Sequence, residues 1–99
     1  MGFALKWTKR ASAQLDEIER YIAADNPAAA QRQVAEIIDR AEILTRYPKL
    51  GPVYLHAPEI EYRQLVVGKY LVFYIIKPAF EQIDIVTVWH GARGDPELP

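Results

Sequence analysis

The side chains able to do chemistry in this 99-residue chain are few. His90 closes a strongly apolar run, Arg93 follows three residues later, and Arg63 stands in an earlier strand-like segment. An imidazole titrates near neutrality and can move a proton, while guanidiniums hold phosphate through paired donors. Together the three would suit acid–base cleavage of RNA. A plainer role is open to the same residues. Arg63 can pair with Glu59 or Glu61 on a sheet surface, and His90 can end a strand bonded to backbone.

Other chemistries lack their parts. His56 and His90 are the only histidines and stand far apart, and there is no cysteine, so no metal-ligand spacing exists and no metal is expected. Gly68-Lys69 lacks the earlier glycine of a phosphate loop, and no nucleotide or other cofactor is expected. Ser12, the sole serine, falls inside a helical pattern rather than on a nucleophile elbow.

The elements that must position these residues follow from periodicity. Phe3, Leu5 and Trp7 alternate as in a half-buried strand. From Thr8, a suitable N-cap, Ala11, Leu15, Ile18 and Ile22 recur at helical spacing to about Ala24. Asp25-Asn26-Pro27 reads as a break and restart, with Asn26 capping and Pro27 in the first turn. A second helix over 27–47 presents Val34, Ile37, Ile38, Ala41 and Leu44, and Pro48 ends it before a loop through Pro52. Asp16–Arg20, Glu36–Arg40 and Glu42–Arg46 fall four apart and mark solvated faces.

Strand signals dominate after that. Tyr62–Val67, a turn at Gly68-Lys69, and the continuously apolar Tyr70–Ile76 form a hairpin whose second strand should be central. Pro78 sits in the next turn, and 83–89 makes the last strand, with Ile83 and Ile85 on one face and Val86 and Val88 on the other. The order predicts one α+β domain over 1–99: an N-terminal strand and an antiparallel helical hairpin packed on a small antiparallel sheet.

Twelve basic and thirteen acidic residues leave a formal charge of −1, which argues against a protein that coats nucleic acid. The longest apolar run, Tyr70–Ile76, is far short of the roughly 18 residues of a membrane helix. The N-terminus lacks the pattern of a signal peptide, and Lys6 stands where myristoylation would need Ser or Thr, so a cytoplasmic protein without a membrane partner is expected. The chain is rich in aromatics for its size, and Tyr47 and Trp89 are the best candidates to anchor a partner.

The assembled features resemble the RelE/ParE superfamily of bacterial type II toxin–antitoxin toxins over nearly the whole chain. The resemblance runs through Ala11-x-x-x-Leu15-x-x-Ile18-x-x-Tyr21-Ile22, Asn26-Pro27-x-Ala29-Ala30 and Leu44-x-x-Tyr47-Pro48-x-x-Gly51. It continues in Tyr62-Arg63-x-Leu65-x-x-Gly68-x-Tyr70-x-Val72-x-Tyr74 and closes on Ile85-x-x-Val88-Trp89-His90-Gly91-Ala92-Arg93. RelE-like members cut messenger RNA on the ribosome with a basic cluster on the sheet, whereas ParE-like members are described as DNA gyrase inhibitors without it. In RelE-like chains an arginine follows the aromatic after the Gly-x-Tyr turn, and lysines line the preceding strand. Here those places hold Leu71 and Glu59-Ile60-Glu61-Tyr62-Arg63-Gln64.

The resemblance therefore implies a ParE-like, gyrase-directed toxin neutralised by a ParD-like antitoxin of the ribbon-helix-helix type, with DNA engaged only through the antitoxin. The alternative is a RelE-like endonuclease using Arg63, His90 and Arg93. Tyr21, Tyr47, Trp89 and Arg93 are the expected antitoxin contacts.

Overall fold

The computed structural model describes residues 2–99. Strand β1 (Ala4–Trp7) leads into helix α1 (Lys9–Ala23), which is followed by helix α2 (Pro27–Ile43). Strands β2 (Val53–His56), β3 (Glu61–Val67), β4 (Tyr70–Lys77) and β5 (Gln82–His90) complete an α+β fold. Short 3₁₀ turns lie at Pro78–Phe80 and Gly91–Arg93. Both helix starts are capped as their sequences dictate. The Ala11 amide donates to Thr8 Oγ1 (3.2 Å), and the Ala29 amide to Asn26 Oδ1 (3.1 Å), each satisfying an amide without a helical partner.

Helix α2 stops four residues short of Tyr47. The Leu44, Thr45 and Arg46 amides bond to the carbonyls of Ala41, Glu42 and Ile43, tightening the end into i→i−3 turns, while Thr45 Oγ1 also donates to Glu42 O. Leu44 is nevertheless fully buried, because a tightened turn keeps it on the core side. None of the three acid-first pairs on the helices closes into an ion pair. Among the described residues the ion pairs are Arg63–Glu61 and Lys77–Asp84. Exposed long side chains lose too much rotamer freedom for the small gain in water.

The strand order is β1-β5-β4-β3-β2, which puts the apolar β4 at the centre as its composition requires. Two features depart from the sequence reading. The sheet is mixed rather than wholly antiparallel, because β1 pairs in parallel with β5 (Leu5 opposite Ile83, Trp7 opposite Ile85). Both strands start at the end of the sheet where α2 finishes and the β4–β5 turn lies; the Phe3 amide bonds to Thr45 O there and the Ala4 amide to Glu81 O. The second departure is β2, a short edge strand with every residue exposed. Its four residues carry no alternation of burial that periodicity could report.

A β-bulge sets the faces of β5. Phe73 lies opposite Thr87 and Tyr74 opposite Ile85, so Val86 is an extra residue. Val88 is thereby returned to the helix-covered face with Ile83 and Ile85, and only Val86 lies on the other face. This corrects the simple alternation, which had placed Val86 and Val88 together. The core under the helices joins Ala11, Ile37, Ala41 and Leu44 to Leu65, Val67, Val72, Tyr74, Ile83, Ile85 and Val88, with Phe3, Leu5 and Trp7 at its margin. A smaller cluster on the outer face consists of Tyr62, Phe73 and Val86, flanked by Leu71, Ile75, Trp89 and Leu98.

Asp84 is buried on β5, where Lys77 Nζ (2.7 Å) and Gln82 Nε2 (2.6 Å) both donate to its carboxylate. Burial alone would raise its pKa, but the hydrogen bonds from Lys77 and Gln82 and the charges of Lys77 and Lys6 prevail, holding it below 3.8. A carboxyl with a depressed folded pKa stabilises the fold above its unfolded pKa and loses that contribution as pH falls through the folded value. The Asp84→Asn chain should therefore be less stable than the parent at pH 7 and converge on it in strongly acidic solution. Urea midpoints between pH 2 and 7 measure this; a constant gap across the range would contradict it.

Candidate functional site

A polar cleft of about 440 Å³ opens between α1 and the end of the β4–β5 hairpin. Gln14, Glu17, Ile18 and Tyr21 come from α1, Tyr70 from β4, Val88, Trp89 and His90 from β5, and Arg93 from the turn after it. Helical spacing explains the α1 wall, since residues 14, 17, 18 and 21 share one flank. The Gln14 side chain fixes the helix to the sheet by accepting the Val88 amide (2.9 Å). Tyr21 stands at the rim, 80% exposed, while Tyr70 lies buried with its ring edge-on to His90 at 5.1 Å. Burial pushes the Tyr70 phenol up, as does Tyr21, against the opposing charge of Arg93. Tyr70 therefore remains neutral at physiological pH.

The state of His90 follows from its backbone contact. Its Nδ1 accepts the Ala92 amide (3.0 Å), which commits that lone pair and puts the proton of the neutral ring on Nε2. His90 therefore offers the cleft a donor. With the Arg93 guanidinium it can hold a carboxylate or phosphate, but its neutral ring has no free lone pair with which to abstract a proton.

Arg63 is elsewhere. It lies opposite Tyr74, and His90 lies opposite Tyr70, on the other side of β4. Four residues along the strands and two strand spacings across separate their backbones by about 16 Å. The Arg63 side chain donates to Gly51 O (2.8 Å) and pairs with Glu61 (3.1 Å). These contacts tie the 48–52 loop to β3. Tyr74 completes the clamp, its hydroxyl accepting the Gly51 amide (2.9 Å) and donating to Pro48 O (2.6 Å). The structure thus brings His90 and Arg93 together and leaves Arg63 out.

The residues expected to meet a partner divide similarly. Tyr21, Trp89 and Arg93 share the polar cleft. Tyr47, 62% exposed, lies by the opposite end of the sheet in an almost wholly apolar depression of about 650 Å³ with Phe3, Pro48, Leu50, Ile76 and Pro78. Sequence reasoning passed over Gln14 and Glu17. Their signal was available as polar positions flanking the apolar stripe of α1, in register with Tyr21.

Among the described residues there is no cluster of three or more histidine, cysteine or acidic side chains fit to hold a metal, and no helix is long and apolar enough to cross a membrane.

The family model of the ParE toxin of the type II toxin–antitoxin system parDE matches residues 5–94. A Sinorhizobium fredii protein, Y4kP, is 35% identical over 97 residues, covering 95% of this chain and 94% of its own. Toxin RelE2 of Caulobacter vibrioides is 33% identical over 87 residues, covering 88% and 93%. In the chromosomal ParDE system from P. aeruginosa, one solved chain shares the fold with a TM-score of 0.71 at 24% identity, over 89% of this chain and 95% of that one. A family match over most of the length, joined to relatives of a third identity across whole chains, makes this protein a member of the RelE/ParE superfamily of type II toxin–antitoxin toxins.

Proposed function

We propose that this toxin acts on a protein, in the manner of the ParE-like gyrase inhibitors, and is neutralised by a ParD-like antitoxin. The observation that carries the reading is the dispersal of its cations. Cleavage of a phosphodiester needs positive charge converging where the transition state develops it. Leu71, at the place of the RelE-like arginine, points instead into the outer apolar cluster beside Trp89 and Leu98. Arg63 is spent on the 48–52 loop and paired with Glu61, and Glu59 and Glu61 stand in the stretch where RelE-like chains carry lysines. The His90 tautomer also favours binding over base catalysis.

For the antitoxin, the cleft lined by Tyr21, Trp89 and Arg93 supplies a phenol at its rim and a guanidinium, suited to a segment carrying acidic residues, while the Trp89 indole turns to the outer apolar cluster and would anchor the partner from that side. Tyr47 forms a second, apolar contact at the far end.

The test uses antitoxin-free toxin in two assays, gyrase supercoiling and cleavage of messenger RNA on programmed ribosomes. Inhibited supercoiling with intact message is expected. Message cleavage that Arg93→Ala or His90→Ala abolishes would establish the RelE-like alternative instead. In the same series, Tyr47→Ala and Trp89→Ala should each weaken antitoxin affinity about tenfold or more, as truncated aromatic anchors do; unchanged affinity would remove the proposed surface.

A further inference from the structure

Phe80 ends the 3₁₀ turn between β4 and β5, is 75% exposed, and belongs to neither apolar cluster of the fold. The turn that carries it is nonetheless tightly built. Pro78 fixes one backbone torsion, the Glu81 amide donates to Pro78 O (3.1 Å), and the Ala4 amide donates to Glu81 O (2.8 Å). Glu81 takes the left-handed conformation (φ 46°), the only non-glycine among the described residues to do so, and a residue with a Cβ adopts it at a cost. Phe80 is thus an aromatic ring held in water on a fixed turn. Seating such a ring in a partner requires little further ordering.

Two residues before the ring, Pro78 forms part of the wall of the apolar depression of about 650 Å³ that also holds Phe3, Tyr47, Leu50 and Ile76. No side chain among the described residues fills it, and Tyr47 and Leu50 stay exposed at its surface. A phenyl ring and an apolar hollow therefore stand side by side. That arrangement is self-complementary. A two-fold axis beside Pro78 carries the ring of each copy into the hollow of the other, and the contact closes on itself. The charges suit the same operation. Lys49 belongs to the wall of the hollow and Glu81 follows Phe80, both exposed, so each insertion sets a carboxylate of one copy against an ammonium of the other.

We propose that this end of the sheet is a self-association surface, at which Phe80 of each of two copies enters the apolar depression of the other while Glu81 meets Lys49 across the two-fold axis. The occupant is a second copy because ring, hollow and opposite charges all lie on this one chain, in the adjacent positions that a closed pair requires. The contact is small, so the dimer should be weak, with a dissociation constant of about 10–100 μM. Its formation does not depend on what the toxin acts on. It does bear on neutralisation, since Tyr47 lies in the same depression: a second copy and the proposed antitoxin contact at Tyr47 exclude one another at that site.

The experiment is sedimentation of the antitoxin-free chain from about 1 μM to 1 mM, where a monomer–dimer equilibrium is expected. Phe80→Asp should weaken the dimer about a hundredfold, roughly tenfold for each of the two symmetric insertions. Val66→Lys, at an exposed apolar position opposite Leu71 near the other end of β4, should leave it unchanged. Glu81→Lys and Lys49→Glu should each weaken it by about tenfold, and the two reversals combined should restore it. Circular dichroism and melting curves establish that each variant is folded, which the exposure of all four positions favours. A parent chain that stays monomeric across the range would overturn the proposal, as would a dimer that survives Phe80→Asp or is lost equally in Val66→Lys. Failure of the double reversal to recover association counts against it in the same way. Growth beyond the dimer would mark an open head-to-tail contact and overturn the two-fold arrangement.

Discussion

Replacing Gly51 by alanine should destabilise the protein by about 3 kcal/mol, a cost typical of overpacking against an immobile neighbour. A Cβ at this position would stand 2.6 Å from Gln64 O and 3.0 Å from both Gln64 C and Tyr74 Cε1. Neither neighbour can yield cheaply. The Gln64 main chain is held within β3, where its amide also bonds to Pro52 O, and Tyr74 is fully buried. Any outward shift of the loop would also break the bond that the Gly51 amide donates to the Tyr74 hydroxyl and the one that Arg63 donates to Gly51 O. For a domain of this size the expected loss is a fall of roughly 12–24 °C in melting temperature. Thermal unfolding of Gly51→Ala measures it, and a fall of less than about 4 °C would show that the loop has slack the close approach denies. A functional consequence follows, because Pro48, Lys49 and Leu50 form one wall of the apolar depression that holds Tyr47. Antitoxin affinity should fall along with stability in this variant.

Arg63→Ala should cost about 2 kcal/mol, and the loss should be structural. The charge-assisted bond to Gly51 O is partly buried, a setting in which such a bond contributes about 1.5–3 kcal/mol. The ion pair with Glu61 adds little, since that carboxylate side chain is 43% exposed and returns to water when its partner is removed. Arg63→Lys should recover only part of the stability, because an ammonium cannot reproduce the geometry of a guanidinium that serves Gly51 and Glu61 together. The discriminating comparison is between chemical denaturation and toxicity across the pair of variants. If toxicity tracks the folded fraction, Arg63 is a loop clamp; loss of toxicity in a variant as stable as the parent would return it to the functional site. Because Gly51→Ala and Arg63→Ala act on the same loop, their effects should not add, and the double variant should be less damaged than the sum of the two.

The RelE/ParE fold accordingly hosts here a sheet whose two faces have different tasks. One is buried under the helical hairpin and holds the domain together. The other carries an apolar cluster where a phosphate-binding arginine would stand in a RelE-like chain, and its own C-terminus crosses it.

Much of this was legible in the order of residues because it is local. Thr8 and Asn26 cap the helices they precede, Gly68 takes the left-handed conformation (φ 60°) that its turn requires, and Tyr70–Ile76 is central because only a strand covered on both faces tolerates such apolarity. Even the pairing of Arg63 with Glu61 was among the readings its neighbours allowed. Each depends on residues within a few positions of one another, where hydrogen-bond geometry and side-chain period leave little freedom.

What only the tertiary structure decided is non-local. The direction of β1 against β5 depends on where a long helical detour returns the chain, and periodicity reports faces but not directions. The bulge at Val86 moves Val88 to the other face, because one extra residue on a strand reverses every later side chain. Arg63, His90 and Arg93 looked like one constellation in sequence. In space the register of β4 sets the first apart from the other two, and Tyr21 and Tyr47 go to opposite ends of the molecule. The residue types determined which chemistry was available. Strand register, set by packing across the whole chain, decided which of those residues could act together.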